Sequence, residues 1–523
     1  MSNIKKNHSF NYFIAFLFLL PLFFPSQISG SERTFYAIGE KYAVSSGHTL
    51  ATKTAAEILR KGGNAIDAAV SAAFVLGVVD FSNSGIGGDG FALVSQHIYG
   101  KNRIFAYDGS ITRPSAPNTS YAGLPALPAL LLQMLKNHGT MPYSEILKPA
   151  INYAEEGFKV TPYLETVALK TIPKIKDKKA LSLLTGSNLK AGEIFKQPIL
   201  ATTLKEMASD SNKSFYSGQT AKAILEDLKI KGSGYRFTDF VRYNPKLTLP
   251  LRVEYENFDI FGTLPPSSSL IAIKLGTALD ASGLDLSDDS PYNSFLLAKF
   301  SRPFLEERYS SLAFYAHNPY ELFQLIPDNC NPANSEKILA EASNTTHICV
   351  WDSFGNAVSM TLTLGSHFGT QELSPCGFFY NNELKNYTKA VADYPDDYSK
   401  KLGPISSKSP IIVLKNRQLF AALGGAGSDR IIQNTGLLLG QLLSNQTDKN
   451  MLSRLRFFMD HKQILHLESN PEGIEPLIDY PKINHRNYGE DYFGLECLIL
   501  KDSNIRQLKA FGDFRRDGSS FAE

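Results

Sequence analysis

The sequence predicts an α+β fold, with helices and antiparallel strands in one chain. Three observations carry this prediction. The 523 residues are 43% hydrophobic and 20% charged, a composition that supports a large buried core and excludes wholesale disorder. Several segments between Ala51 and Glu156 show apolar residues at helical spacing. Between Asn344 and Thr363, a strand-like run and a cleanly alternating run flank a glycine-containing turn, the pattern of a β-hairpin.

The N-terminus reads as an export signal. Lys5, Lys6 and His8 precede the apolar run Phe13–Phe24, which is short for a membrane span. Small residues at Ser26, Ser29, Gly30 and Ser31 place cleavage near Gly30, so residues 1–30 are expected to leave a periplasmic or secreted protein. The alternative is an uncleaved membrane anchor. No later segment approaches 18 unbroken apolar residues.

Charge excludes a class of partner. Lys and Arg total 53 against 51 acids, a net of +2. The two lysines of the first 30 residues supply that excess, so the remainder is balanced. No nucleic-acid partner and no bulk attraction to anionic surfaces is expected. The four cysteines, Cys330, Cys349, Cys376 and Cys497, form no CxxC pair, and no metal or other cofactor is expected. A Cys330–Cys376 disulfide stays open at this level, and Cys349 reads as a buried small residue within a strand.

The elements follow in order. Ala51–Lys61 is a helix stopped by Gly62-Gly63, which tolerate positive φ. Asn64 caps the next helix, Ala65–Val79, with Asp67 in its first turn. That helix is apolar nearly all round and is expected to be buried on most sides. Gly85, Gly87 and Gly90 match a G-x-G-x-x-G spacing, but a helix precedes them and the strand-like Phe91–Val94 follows. This is the reverse of a dinucleotide site, and a tight turn beside a site is the expectation. Helices are predicted at Leu127–Lys136, Tyr143–Glu156 and Ser294–Ser311. Lys174–Lys179 reads as a solvated basic run, and no internal repeat is found.

The hairpin is the sharpest feature. Strands at 344–352 and 357–363 flank Ser353-Phe354-Gly355-Asn356. A two-residue loop would pair Thr346 with Thr363, and a three-residue loop Thr345 with Thr363. On geometry alone, facing threonines are good strand formers and carry no chemistry.

A series of ordered blocks changes that reading. They include SSGHTLATKTAAEILRKGGNAIDAAVSAAFVLGVVD, SGIGGDGFALV, LPPSSS, NTTHICVWDSFGNAVSMTLT, FFYNNELKNY, ISSKSPIIV and GGAGSDRII. In these blocks the chain resembles the γ-glutamyltranspeptidases, which are N-terminal nucleophile hydrolases, along nearly its whole length after the leader. The resemblance implies a four-layer αββα sandwich and a precursor that cuts itself before Thr345. That gives a large subunit, 31–344, and a small one, 345–523, which together form one folded unit. It makes the Thr345 hydroxyl the nucleophile and its freed α-amine the base. Thr363 would hydrogen-bond to the nucleophilic residue, and the backbone N–H groups of Gly427 and Ser428 would form the oxyanion hole.

By the same resemblance, Ser406 and Ser407 would hold the α-carboxylate of a γ-glutamyl group, with Glu383 near its α-amine. Asn386 stands where the family has an aspartate for that ammonium, and Gly365 where it usually has an asparagine. Ser269-Leu270 replaces a Gly-Gly. The carboxylate-binding arginine is Arg113 on one alignment, while another puts Ser110 there. The implied function is transfer or hydrolysis of the γ-glutamyl group of glutathione and related small amides. The alternatives are an acylase of the same fold with glutaryl-like specificity, or a processed binding protein of weak activity.

Overall fold

The helix Ala65–Val79 shows how directly local sequence builds this fold. In the computed structural model, which describes residues 33–186, 189–315, 344–389, 405–460, 462–469, 483–502 and 507–523, all fifteen of its residues are buried. Asn64 Oδ1 accepts from the N–H groups of Ile66 and Asp67, and Asp67 Oδ2 accepts from the Asn64 N–H at 3.0 Å. This reciprocal cap satisfies N–H groups that a helix start otherwise leaves orphaned. The preceding helix, Thr49–Arg60, ends before Gly62 at φ +90°. The helices predicted from Leu127, Tyr143 and Ser294 appear at Leu127–His138, Tyr143–Glu156 and Pro291–Tyr315.

Among the described residues, fourteen strands form two seven-stranded sheets. In chain order they are β1 (Tyr36–Gly39), β2 (Ala43–Ser46), β3 (Asp89–Ile98), β4 (Lys101–Gly109), β5 (Lys246–Thr248), β6 (Leu251–Tyr255) and β7 (Phe258–Gly262). The others are β8 (Asn344–Trp351), β9 (Ala357–Gly365), β10 (Ile411–Lys415), β11 (Gln418–Ala426), β12 (Leu495–Asp502), β13 (Gln507–Gly512) and β14 (Ser519–Ala522). One sheet runs β1-β13-β12-β11-β10-β7-β6, and the other β14-β2-β8-β9-β3-β4-β5. Every pairing within them is antiparallel.

Strand alternation sorts side chains into layers. Ile348 and Val350 of β8 face outward and pack with the helices 49–60, 65–79 and 127–138. Cys349 and Trp351 face inward and meet Ile412, Ala422, Cys497 and Ile499 of the other sheet. That sheet's outer residues, Ile411, Val413 and Leu423, pack against the helices Ser269–Ala281 and Arg430–Leu443. The result is helix, sheet, sheet, helix: the four-layer αββα sandwich of the α+β class.

Among the described cysteines, Cys349, Cys376 and Cys497 are free and buried; Cys330 lies outside the described residues, as does the leader 1–30. Lys174, Lys176, Lys178 and Lys179 are exposed, as a solvated run should be. No described helix is long and apolar enough to cross a membrane.

Candidate active site

The site lies at one end of the interface between the sheets. β8 and β9 pair with Thr345 opposite Thr363 and Trp351 opposite Ala357, the register of the three-residue loop. A bulge between Asn344 and Thr345 then puts Asn344 opposite Gly365. Both threonines are 2% exposed, so neither hydroxyl is a surface ornament.

One hydroxyl links the parts. Thr345 Oγ1 donates to Thr363 Oγ1 at 3.3 Å, and Thr363 Oγ1 donates to the Asn344 carbonyl at 2.5 Å. The same oxygen accepts from the Gly365 N–H at 2.8 Å. Thr363 therefore touches both the hydroxyl and the carbonyl of the Asn344–Thr345 junction. Arg516 completes the grip: Nη1 donates to the Thr345 carbonyl at 3.0 Å and Nη2 to Asn344 Oδ1 at 3.4 Å.

The surroundings are buried. Two residues along β8, His347 lies between the sheets, with Nδ1 2.8 Å from Thr361 Oγ1 and Nε2 3.3 Å from Ser359 Oγ. Burial pushes its pKa down to about 3, which makes it a neutral spacer near neutrality. Gly424 leaves the space it fills: a Cβ there would fall 2.4 Å from the ring. Asp80, whose Oδ1 accepts from Asn83, is pushed up to about 8 by burial.

The predicted oxyanion residues follow β11. Gly427 and Ser428 have φ of +133° and +62° and form the turn into the helix Arg430–Leu443. Ser407 Oγ donates to Asp429 in that turn at 3.3 Å, tying the Ser406-Ser407 segment to it. Ser406 Oγ accepts from the Lys408 N–H at 3.2 Å. Ser269, in place of a glycine, starts its helix and donates from Oγ to the Pro410 carbonyl.

The predicted acyl-binding residues also converge. Asn386 Nδ2 donates to Glu383 Oε2 at 3.2 Å. Next along the chain, the Tyr387 ring carries the Arg113 guanidinium 4.5 Å above it. Burial lowers the Arg113 pKa, and its Nε has no hydrogen-bond partner. Ser110 instead takes its N–H to Asp108 and its carbonyl to Tyr243. The Arg113 guanidinium thus lies beside the Glu383–Tyr387 segment, and Tyr387 Oη also donates to the carbonyl of Ile111, next to Ser110, at 2.8 Å. Gly365 has a backbone reason as well: its φ is +91°, and a Cβ would fall 2.0 Å from Asn382 Oδ1 and 2.9 Å from Glu383 Oε1.

Three residues escaped the sequence reading. Arg516 sits in the arginine pair of DFRRDG near the C-terminus. Lys408 Nζ lies 2.6 Å from Asp89 Oδ1 and 3.2 Å from Glu383 Oε2, with all three side chains buried. The available signals were a lone acid inside a glycine cluster and a lone lysine before the apolar run Ile411–Val413. Among the described residues no cluster of His, Cys, Asp and Glu could hold a metal ion.

A buried threonine pair thus stands at a bulged strand start, between two sheets flanked by helices. Comparison with known proteins gives the family. The gamma-glutamyltranspeptidase family matches residues 51–298 and 304–522, and the chain belongs to that family. It is 31% identical to glutathione hydrolase 2 of Arabidopsis thaliana, over 72% of this chain and 73% of that one. It is 27% identical to the capsule biosynthesis protein CapD proenzyme of Bacillus anthracis, over 92% and 91% of the two chains. The fold matches the solved cephalosporin acylase from Bacillus halodurans with a TM-score of 0.79 at 21% identity, covering 96% of this chain and 99% of that one.

Proposed function

We propose that the chain is an exported precursor that cuts itself between Asn344 and Thr345. The mature enzyme then transfers or hydrolyses an acyl group, γ-glutamyl from glutathione-like amides in the family manner, through an ester on Thr345. The observation that carries this reading is the Thr363 hydroxyl, bonded at once to Thr345 Oγ1 and the Asn344 carbonyl.

That geometry supports self-cleavage by the following steps. Thr345 Oγ1 attacks the Asn344 carbonyl carbon while its proton passes towards Thr363 Oγ1. Thr363 supports the negative charge growing on the Asn344 oxygen, to which it already donates. The C–N bond breaks, the amine takes a proton, and an ester remains. Water hydrolyses the ester, leaving the Asn344 carboxylate and a free Thr345 amine and hydroxyl. Arg516 holds the Thr345 carbonyl, which stays on the new terminus.

In turnover the Thr345 α-amine is the base. Its reference pKa of about 7.7–8.0 suits proton transfer near neutrality, where His347 is neutral and pinned. The substrate carbonyl oxygen would take the Gly427 and Ser428 N–H groups; losing one such donor typically raises the barrier by roughly 2.7–4 kcal/mol. Ser406, Ser407, Arg113, Glu383 and Asn386 would line the acyl pocket. The leader 1–30 would be lost on export to the periplasm or beyond, leaving subunits 31–344 and 345–523. Assay of purified protein on γ-glutamyl and glutaryl p-nitroanilides tests this reading. Activity on either that disappears in Thr345→Ala is expected; equal rates in both proteins would refute it.

A further inference from the structure

Two carboxylates share one ammonium beside the threonines. Lys408 Nζ lies 2.6 Å from Asp89 Oδ1 and 3.2 Å from Glu383 Oε2, so its nearer partner is Asp89. All three side chains are buried. Burial alone would strip the lysine's proton, but the charges of Asp89 and Glu383 hold it. With Lys408 matched by Asp89, the cluster keeps one negative charge in surplus, on Glu383. Asn386 adds none. Its Nδ2 donates to Glu383 Oε2 at 3.2 Å, which a carboxylate in its place could not do.

The position of this surplus gives it a role. Thr363 pairs with Thr345 on one side and with Asp89 on the other. Directly opposed residues of neighbouring strands share a face, so Thr345, Thr363 and Asp89 form one inward row. Lys408 reaches that row from just before β10, in the opposite sheet, and takes Glu383 by Oε2. The other oxygen, Oε1, turns towards Gly365, two residues beyond Thr363 on β9: a Cβ on that glycine would fall 2.9 Å from it. Glu383 therefore gives one oxygen to its lysine and turns the other to the end of β9 that carries Thr363.

We propose that Asp89 is a specificity-determining residue: by holding Lys408, it leaves the Glu383 charge to pair with an α-ammonium on the acyl group. The favoured acyl class is then the side-chain acyl group of an α-amino acid. This rests on the γ-glutamyl reading above, in which Glu383 lines the acyl pocket, and adds what keeps its charge uncancelled. Without the Asp89 carboxylate, Lys408 would pair with Glu383 alone and neutralise it. A glutaryl group brings no ammonium and draws nothing from the surplus.

The product acids test this without turnover. Burial pushes the Asp89 pKa up to about 7 against the pull of Lys408, so calorimetric titrations at about pH 8.5 keep that carboxylate ionised. The wild type should bind L-glutamate at least about tenfold tighter than glutarate. Asp89→Asn keeps the side chain's shape and should abolish that preference. Asp89→Asn combined with Lys408→Met removes the pair, returns the surplus to Glu383 and should restore it. A merely structural role for Asp89 would not be rescued by deleting its partner. An Asp89→Asn protein that keeps the preference overturns the proposal, as does a folded double variant that lacks it. If the single variant does not fold, the double variant decides alone. A wild type that binds glutarate as tightly as L-glutamate overturns it as well. Failure of the catalytic reading would look different, as an uncut chain that hydrolyses neither anilide.

Discussion

Thr363 binds three groups through one oxygen, and that concentration makes it the most informative residue after Thr345. Thr363→Val keeps a strand-forming shape but leaves the Asn344 carbonyl and the Gly365 N–H buried without this partner. Each such loss costs about 1–3 kcal/mol, so self-cleavage should slow by at least tenfold. Time courses of precursor on denaturing gels measure it, and an unchanged rate would return Thr363 to a strand-forming role. Arg516→Met should slow the same step by roughly tenfold to a hundredfold, because hydrogen bonds to charged groups contribute about 1.5–3 kcal/mol. A folded variant that cuts at the normal rate would show that Arg516 does not position the junction. At this scale the sequence was legible where residue type and spacing carry the chemistry, as in the two threonines. Arg516, Lys408 and Asp89 were not legible, because each acts on a partner more than a hundred residues away. No local pattern encodes such a pairing.

Among the elements, the hairpin was the most readable, because a strand-like run, a glycine turn and a cleanly alternating run follow one another directly. Its exact register was not, since two loop lengths satisfied the same alternation. The Asp352 N–H donates to the Asn356 carbonyl at 3.0 Å, which closes the three-residue loop and puts Thr345 opposite Thr363. The glycine cluster was readable as a tight turn, and the reason is now specific. A Cβ on Gly88 would fall 2.2 Å from the Thr363 carbonyl, and one on Gly87 2.1 Å from the Phe379 carbonyl. Gly365 is a sharper case, combining φ +91° with a Cβ position 2.0 Å from Asn382 Oδ1. Gly365→Ala should therefore destabilise the protein by at least ~1–2 kcal/mol, the left-handed penalty alone. Thermal unfolding would register it as a lowered Tm, and an unchanged Tm would mean that the segment from Asn381 yields freely.

At the scale of the whole molecule, the α+β class was visible in the mixture of periods, but the order of strands was not. β2, β8 and β14 are neighbours although the chain separates them by hundreds of residues; the family resemblance supplied the four layers but not this order. Burial in the four layers also sets how stability depends on pH. Glu496, held by Thr435, is pushed up to about 8, mainly by burial. Its contribution is fully present below its ordinary value of 4.5 and is lost as pH rises through about 8. His347 has the opposite sign: its contribution is present above 6.5 and is lost as pH falls through about 3. Glu496→Gln should accordingly lose less Tm between pH 5 and pH 9 than the wild type, and equal losses would refute the assignment. The central claim is that Thr345 cuts its own chain, and intact-mass measurement of purified wild-type and Thr345→Ala protein tests it most directly. At 57.7 kDa over 523 residues, the wild type should give two fragments of about 35 and about 20 kDa, the smaller beginning at Thr345, while the variant stays whole. A wild-type chain that remains uncut after prolonged incubation, or a variant that is cut at the same bond, would contradict it.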